Sequence, residues 1–247
     1  LMKCYYAKQD YVNSEIYADK VLKNPKTEDS IKSDAQIIIA RSAIKTNNEA
    51  GAKEAYAKLQ KIAKGELAAE ALYYEAYFKN KEAKYDASNK TIEKYAAMYS
   101  GYKYFAAKAL LVMAKNYYAL QDSFQATEIL KSVIDNYTEF QDVITEAQTE
   151  LDKIKEAKEI MKTIHPSKGN VSRGPTAMHT RNMYQVLGLD LQTPSCVLFC
   201  YAKPDNKGSI QGGTRSAYEL AKRHGIKCYN FYFQSSIDGV EKLLKLN

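Results

Sequence analysis

The chain has 247 residues, of which 45% are hydrophobic and 26% are charged. This composition is typical of a soluble globular protein, and the length favours one or two domains. No apolar run approaches the roughly 20 residues that cross a bilayer, so the sequence predicts no membrane span. The opening residues, Leu1-Met2-Lys3-Cys4, do not begin a signal peptide, because no long apolar segment follows them. We expect them to lie inside a helix, with the natural N-terminus further upstream.

The charge and the residue types change near Glu159. Residues up to Ile160 include 24 basic and 24 acidic side chains, whereas the rest of the chain has 12 basic and 5 acidic ones and carries the whole net charge of +7. All three histidines follow this point, and 16 of the 21 tyrosines precede it. We therefore predict a helical domain over 1–159 and a small α/β module over 160–247.

A helix-turn-helix unit recurs four times in the first domain. Each copy has a short polar junction between a helix rich in Tyr and Ala and an amphipathic helix, and successive junctions are 38, 36 and 38 residues apart. The junctions are Lys8–Tyr11, Thr46–Glu49, Glu82–Tyr85 and Leu120–Ser123. Because such periods are typical of stacked helical repeats, we expect an α-solenoid in which each repeat contacts its neighbours.

These repeats resemble the tetratricopeptide repeat (TPR) family, and in particular its bacterial envelope type, whose repeats end in a turn that contains tyrosine. Such turns here are Tyr99-Ser100-Gly101-Tyr102 and Asn136-Tyr137-Thr138-Glu139. The small-residue positions of the family are matched by Ala7, Ala40, Ala76 and Ala114. The resemblance covers about 150 residues and implies a concave surface that binds a protein or a peptide.

Three residues are candidates for that surface. Asn116 could clamp a peptide backbone, because an amide side chain both donates and accepts hydrogen bonds. Tyr77 and Tyr117 belong to a stripe of tyrosines at helical spacing, some of which could line the groove. The alternatives are an ordinary solvated Asn116 and tyrosines that pack between helices, as large aromatic residues at helical spacing commonly do.

The second module contains two apolar runs, Cys196–Tyr201 and Ile226–Phe233, which predict parallel strands covered on both faces. Between them, Gly212-Gly213-Thr214 opens a predicted helix, Arg215–His224, with Thr214 as its cap. Glycine lets a ligand approach the backbone, and the free N–H groups at the start of a helix attract phosphate or carboxylate. The alternative is that these glycines serve only the geometry of the turn.

A wider set of residues accompanies this loop. It comprises Arg181-Asn182-x-Tyr184-Gln185-Val186-Leu187-Gly188, Pro194-Ser195, Gly212-Gly213-Thr214-Arg215, His224-Gly225-Ile226 and Asn230. The set resembles the C-terminal half of a Rossmann-like family found in phages and bacteria, similar to the SLOG superfamily with its DprA-like and YpsA-like proteins, which bind nucleotides or their derivatives. The resemblance implies a nucleotide-type ligand held by Gly212, Gly213 and Thr214, together with Arg181 and Asn182.

The departures from that family limit the prediction. The N-terminal half of its fold has no counterpart here, and Ala217 stands where related phosphoribohydrolases carry a catalytic Glu. We therefore assign no catalytic residue and favour binding over catalysis. Two alternatives stay open: an enzyme acting on a nucleotide or its derivative, and a composite of two fragments whose second part completes a sheet or mediates dimerisation. Since two strands alone make a marginal sheet, a second copy could supply missing strands.

The remaining reactive residues give weaker signals. The four cysteines lack the spacing of zinc ligands and are expected to be reduced, buried thiols. His179 lies beside Arg181 and could approach the glycine loop, but an exposed helix face is the favoured expectation. His224 is expected at the end of a helix. The basic residues of the second module are dispersed and give no strong nucleic-acid signal.

The second module is typical of the cytoplasm, whereas envelope-type repeats fit the periplasm if a signal sequence precedes Leu1.

Overall fold

The computed structural model describes residues 1–164, 173–188, 190–206 and 208–244. Over these residues the chain is mainly helical, with twelve helices and one two-stranded parallel sheet. Contacts divide it into two compact units, which we call the helical unit (Leu1–Leu120 and Glu128–Ala147) and the α/β unit (Gln121–Thr127 and Gln148–Asn247). The division falls about a dozen residues before the boundary that the sequence predicts at 159.

Nine helices precede the α/β elements, and each of the first six packs on the next one. Helices α1 and α3, and likewise α5 and α7, also contact each other, as expected when hairpins stack side by side. Their bounds are α1 Met2–Ala7, α2 Tyr11–Lys23, α3 Asp29–Lys45, α4 Glu49–Leu59, α5 Gly65–Lys81, α6 Tyr85–Tyr99, α7 Lys103–Ala119, α8 Ser123–Asn136 and α9 Gln141–Ile164.

The four predicted junctions share one backbone geometry. At each of them a single non-glycine residue takes the left-handed conformation, with φ between 56° and 71°: Gln9, Asn47, Ala83 and Gln121. A residue of this kind reverses the chain after one helix, and the next residue can begin the following helix. In three junctions that next residue is Asp10, Asn48 or Asp122, whose side chain accepts a hydrogen bond from the first turn of the new helix. The third junction has Lys84 there, which cannot accept one.

Aromatic side chains fill the helical unit. Tyr56 and Tyr95 are almost completely buried, and the ring of Tyr56 stacks on that of Tyr74 with 4.0 Å between centroids. Alanines with no exposed surface, such as Ala52 and Ala69, lie beside these rings in the same clusters. Small residues allow the helix backbones to approach closely, and the aromatic rings fill the space that remains.

The α/β unit adds five elements: α10 Arg173–Leu187, β1 Val197–Cys200, α11 Thr214–Arg223, β2 Lys227–Asn230 and α12 Gln234–Leu244. The two strands are parallel, as predicted, with Val197 opposite Lys227 and Cys200 opposite Asn230. Its core joins α10, α11 and the sheet through residues that include Met183, Val186, Leu220, Ala221 and Ile226. Leu198 and Cys228 pack against this core from the strands.

Both strands are shorter than predicted, because beyond Cys200 the Asn230 side chain replaces the backbone hydrogen bonds of the sheet. The Asn230 amide accepts a hydrogen bond from Ala202 N–H (2.9 Å) and donates one to Ala202 C=O (2.7 Å). Backbone pairing therefore ends at Cys200, whose carbonyl accepts from Phe231 N–H. Asn230, one of the residues that resemble the Rossmann-like family, thus fixes the carboxyl end of the sheet.

Two further expectations have clear outcomes. None of the helices in the described ranges is long and apolar enough to cross a membrane. The cysteines are less buried than predicted: Cys4 and Cys196 are exposed, and Cys200 and Cys228 are partly exposed. Cys196 precedes β1 and so lacks the cover that a strand position would have provided.

Candidate functional site

A cavity of about 610 Å³ lies in the α/β unit, between α10, β1 and the start of α11. Its described walls include four of the five residues that the sequence proposes as ligand contacts: Arg181 and Asn182 from α10, and Gly213 and Thr214 from the start of α11. The fifth, Gly212, immediately precedes this wall in the chain. Residues more than 30 positions apart in the sequence therefore face one space at the carboxyl end of β1.

The glycine loop is open towards solvent. Gly212 has φ +71°, a conformation that residues with a side chain rarely adopt, and its carbonyl accepts a hydrogen bond from Arg215 N–H at 3.2 Å. A Cβ atom added at Gly212 or at Gly213 would meet nothing within 4 Å. Thr214 was predicted as a helix cap, but the helix begins at Thr214 and Gly213 is its cap, without a side-chain hydrogen bond. The loop thus leaves its backbone accessible.

Asn182 holds the loop in place. Its Nδ2 donates to the carbonyl of Gly213 at 3.0 Å, which ties the middle of α10 to the start of α11. Its neighbour Arg181 is exposed and is the one charged residue among the described cavity walls. The two residues proposed together therefore differ in position: Asn182 supports the loop, and Arg181 offers a cation to a ligand.

His179 was expected on an exposed face, and this expectation is wrong. It is buried, it lines the cavity, and its Nδ1 lies 3.0 Å from the hydroxyl of Ser216. His179 precedes Asn182 by three residues, which places both on the face of α10 turned towards α11. The spacing of three residues between His179 and Asn182 was the signal in the sequence that the two side chains share one helix face. Ser216 is 1% exposed, so its hydroxyl is a packing partner and is not presented to a ligand.

Cys200 lines the same cavity and is not activated. Burial raises the pKa of its thiol, and the nearby Cys228 raises it further. The thiol is therefore protonated at neutral pH, whereas a nucleophilic cysteine needs a lowered pKa. No group of three or more residues suited to hold a metal ion occurs within the described ranges.

The candidate groove residues of the helical unit lie in different environments. Asn116 has no exposed surface: its Nδ2 donates to Ser88 Oγ and Asn89 Oδ1, and its Oδ1 accepts from Asn80, all within 2.8 Å. A peptide cannot reach it, which corrects the proposed clamp, since the amide instead joins α5, α6 and α7. Tyr77 and Tyr117 are both partly buried, and the ammonium group of Lys81 lies 5.6 Å from the ring centroid of Tyr77.

No protein-family model, curated protein or solved structure matches this chain. The function is therefore inferred from the site itself. Its elements are an open glycine loop, the N-terminus of a ten-residue helix, an exposed guanidinium and an aromatic strand end. This combination is suited to binding an anion that carries a flat or apolar group.

Proposed function

We propose that the protein binds ligands without transforming them. In this proposal the helical unit is a TPR-like solenoid that binds a protein or peptide, and the α/β unit is a partial Rossmann-like module that binds a nucleotide or a nucleotide derivative. The phosphate lies at Gly212, Gly213 and Thr214, with Arg181 as its counter-charge.

The observation that carries the proposal for the α/β unit is the shared cavity at the carboxyl end of β1. In open α/β sheets, ligands bind outside the carboxyl ends of the strands, where the N-termini of the following helices point. The α11 N–H groups and the Arg181 side chain supply positive potential there, and the described walls carry no acidic side chain. Tyr201, the residue after β1, is 74% exposed, lines the cavity and offers a ring for stacking with a base.

The proposal for the helical unit rests on its odd-numbered helices. They contact each other in pairs, as the inner helices of a solenoid do, and they carry partly exposed aromatic rings. Lys108 lies over the rings of both Tyr73 and Tyr104, at 5.5 and 5.4 Å from their centroids. Tyr77 and Tyr117, which are partly exposed, are the sequence-based groove candidates that remain, because Asn116 is internal.

Binding is favoured over catalysis by the groups that the cavity presents. The Cys200 thiol stays protonated, the Ser216 hydroxyl is enclosed, and Ala217 occupies the position of the catalytic carboxylate in the related family. A general acid–base mechanism needs a titratable group within hydrogen-bond reach of the substrate. The Nδ1 atom of His179 is engaged by Ser216, and Tyr201 serves in this proposal to stack on a base.

Isothermal titration calorimetry with adenosine and guanosine monophosphates tests this proposal. A hydrogen bond to a charged group contributes about 1.5–3 kcal/mol, so Arg181→Gln should weaken binding by roughly 10-fold to 100-fold. Lys203→Gln is the matched control, since it removes the same charge from the same unit at an exposed residue outside the cavity walls. Equal affinities for both variants and the wild type would remove Arg181 and the loop from the proposal.

A further inference from the structure

The cavity extends from the start of α11 to the outer edge of β1. Four consecutive residues of the chain line it, Leu198, Phe199, Cys200 and Tyr201. Successive side chains of a strand point to opposite faces. A space that touches all four must therefore run along the hydrogen-bonding edge of the strand.

The backbone hydrogen bonds identify which groups face this space. Cys200 C=O accepts from Phe231 N–H, and Ala202 N–H donates to the Asn230 side chain, so both residues turn their backbone groups towards β2. Backbone direction alternates along a strand in the same way as side chains do. Phe199 and Tyr201 consequently direct their N–H and C=O groups into the cavity. Within the described ranges, no hydrogen bond joins these groups to another residue.

Helix α10 forms the other wall of this groove. It lies beside α11, to which it is tied by the Asn182–Gly213 and His179–Ser216 contacts. Its residues line the same cavity as β1, and within the described ranges no strand other than β2 pairs with β1. An open edge of this type is a template for another strand, and a sheet of two strands is marginal without one.

The chemistry of the groove indicates the kind of strand that fits. Met178 is 59% exposed and Phe199 is 49% exposed, and both line the groove with apolar surface. Val197–Tyr201 has no charged residue and no proline, the features that usually protect an exposed edge. The single charged wall residue, Arg181, lies on α10 close to the glycine loop, at the end proposed for phosphate.

We propose that β1 accepts an extended, uncharged and largely apolar segment of a partner protein as a third strand, paired through Phe199 and Tyr201. Main-chain hydrogen bonds supply affinity in this mode of recognition, and alternate side chains supply specificity. The proposed strand lies along β1 and the proposed phosphate at the glycine loop, so the two ligands share one cavity.

The test uses Phe199→Pro, which removes the outward N–H and leaves the ladder with β2 intact. Phe199→Ala is its matched control, because it loses the same ring but keeps the N–H. A phage-displayed library of random heptapeptides is selected on the full chain, and the enriched peptides are synthesised with a fluorescent label. The enriched sequences should be uncharged and apolar. Fluorescence anisotropy should give an affinity at least 10-fold weaker for Phe199→Pro than for Phe199→Ala.

A second measurement needs no variant. Saturating peptide should slow hydrogen exchange of the Phe199 and Tyr201 amides in the wild-type chain by at least 10-fold. The proposal is overturned by a selection that enriches nothing, by equal affinity for the two variants, or by unchanged exchange. It is also overturned if light scattering shows a wild-type dimer that Phe199→Pro converts to a monomer, since a second copy then occupies the edge. Arg181→Gln should leave peptide affinity within about twofold, so failure of the nucleotide proposal is seen separately.

Discussion

Replacing Glu70 with leucine should be among the most destabilising single changes in the helical unit. Glu70 is 2% exposed, and both of its carboxylate oxygens are bonded to Arg41, at 2.9 Å from Nε and 2.5 Å from Nη2. The hydroxyl of Tyr56 also donates to it at 2.9 Å. These contacts join α3, α4 and α5, so they connect two successive hairpins. The carboxylate accordingly raises the pKa of Arg41 above its usual value.

The expected cost follows from what the substitution leaves behind. Removing one partner of a buried ion pair costs about 3–5 kcal/mol, because the other charge stays unpaired. The Arg41 side chain is 42% exposed and can be partly hydrated, which places Glu70→Leu near the lower end, at about 3 kcal/mol. Exchanging both partners for apolar residues is often neutral, so Arg41→Met with Glu70→Leu should cost only about 1 kcal/mol.

Urea unfolding followed by far-ultraviolet circular dichroism measures these differences. The two single variants and the double variant form a cycle, whose coupling term isolates the pair. The reasoning is refuted if Glu70→Leu costs less than about 1 kcal/mol, or if the double variant costs the sum of the single ones.

Two further predictions concern the helical unit. Ala83→Gly should stabilise the protein by about 0.5–1 kcal/mol, because glycine removes the cost of the left-handed conformation, about 1–2 kcal/mol, and adds back about 0.5–1 kcal/mol of unfolded-chain entropy. The control Ala97→Gly, inside α6, should destabilise the protein by about 1 kcal/mol. Equal effects of the two substitutions in urea unfolding would contradict the junction geometry. Burial, together with the hydrogen bond from the Tyr104 hydroxyl to Asp142, raises the pKa of Tyr104 to about 12. The protonated Tyr104 hydroxyl stabilises the fold below pH 10, and this stabilisation is lost as the pH rises towards 12. Tyr104→Phe should therefore lose less stability than the wild type between pH 9 and 11. Identical losses in the two proteins would be evidence against a role for the Tyr104 hydroxyl.

The elements that the sequence predicted well are those with a local cause. The junctions around Gln9, Asn47, Ala83 and Gln121 could be located because polar turns interrupt helical periodicity at regular intervals. The two parallel strands followed from short apolar runs on either side of a glycine loop and a helix. In these cases the residues that determine the structure are neighbours in the chain.

The errors arose where distant residues meet. Asn116 is internal because Ser88 and Asn89, on the neighbouring helix, satisfy its amide. His179 is buried because Ser216, 37 residues away, accepts or donates a hydrogen bond at its ring. The same polar residues in solvent would leave an identical sequence pattern. The open edge of β1 likewise depends on which strands are adjacent, a property that no local pattern reports.

The most direct test of the central claim is the response of two backbone amides in the α/β unit. In ¹⁵N-resolved NMR spectra of the full chain, titration with adenosine monophosphate should shift the Gly213 and Thr214 amide signals along a saturable curve. The same titration of Arg181→Gln should require a nucleotide concentration at least 10-fold higher for the same shift. Signals that stay in place, or that follow the same curve in Arg181→Gln as in the wild type, would contradict a phosphate site at the start of α11.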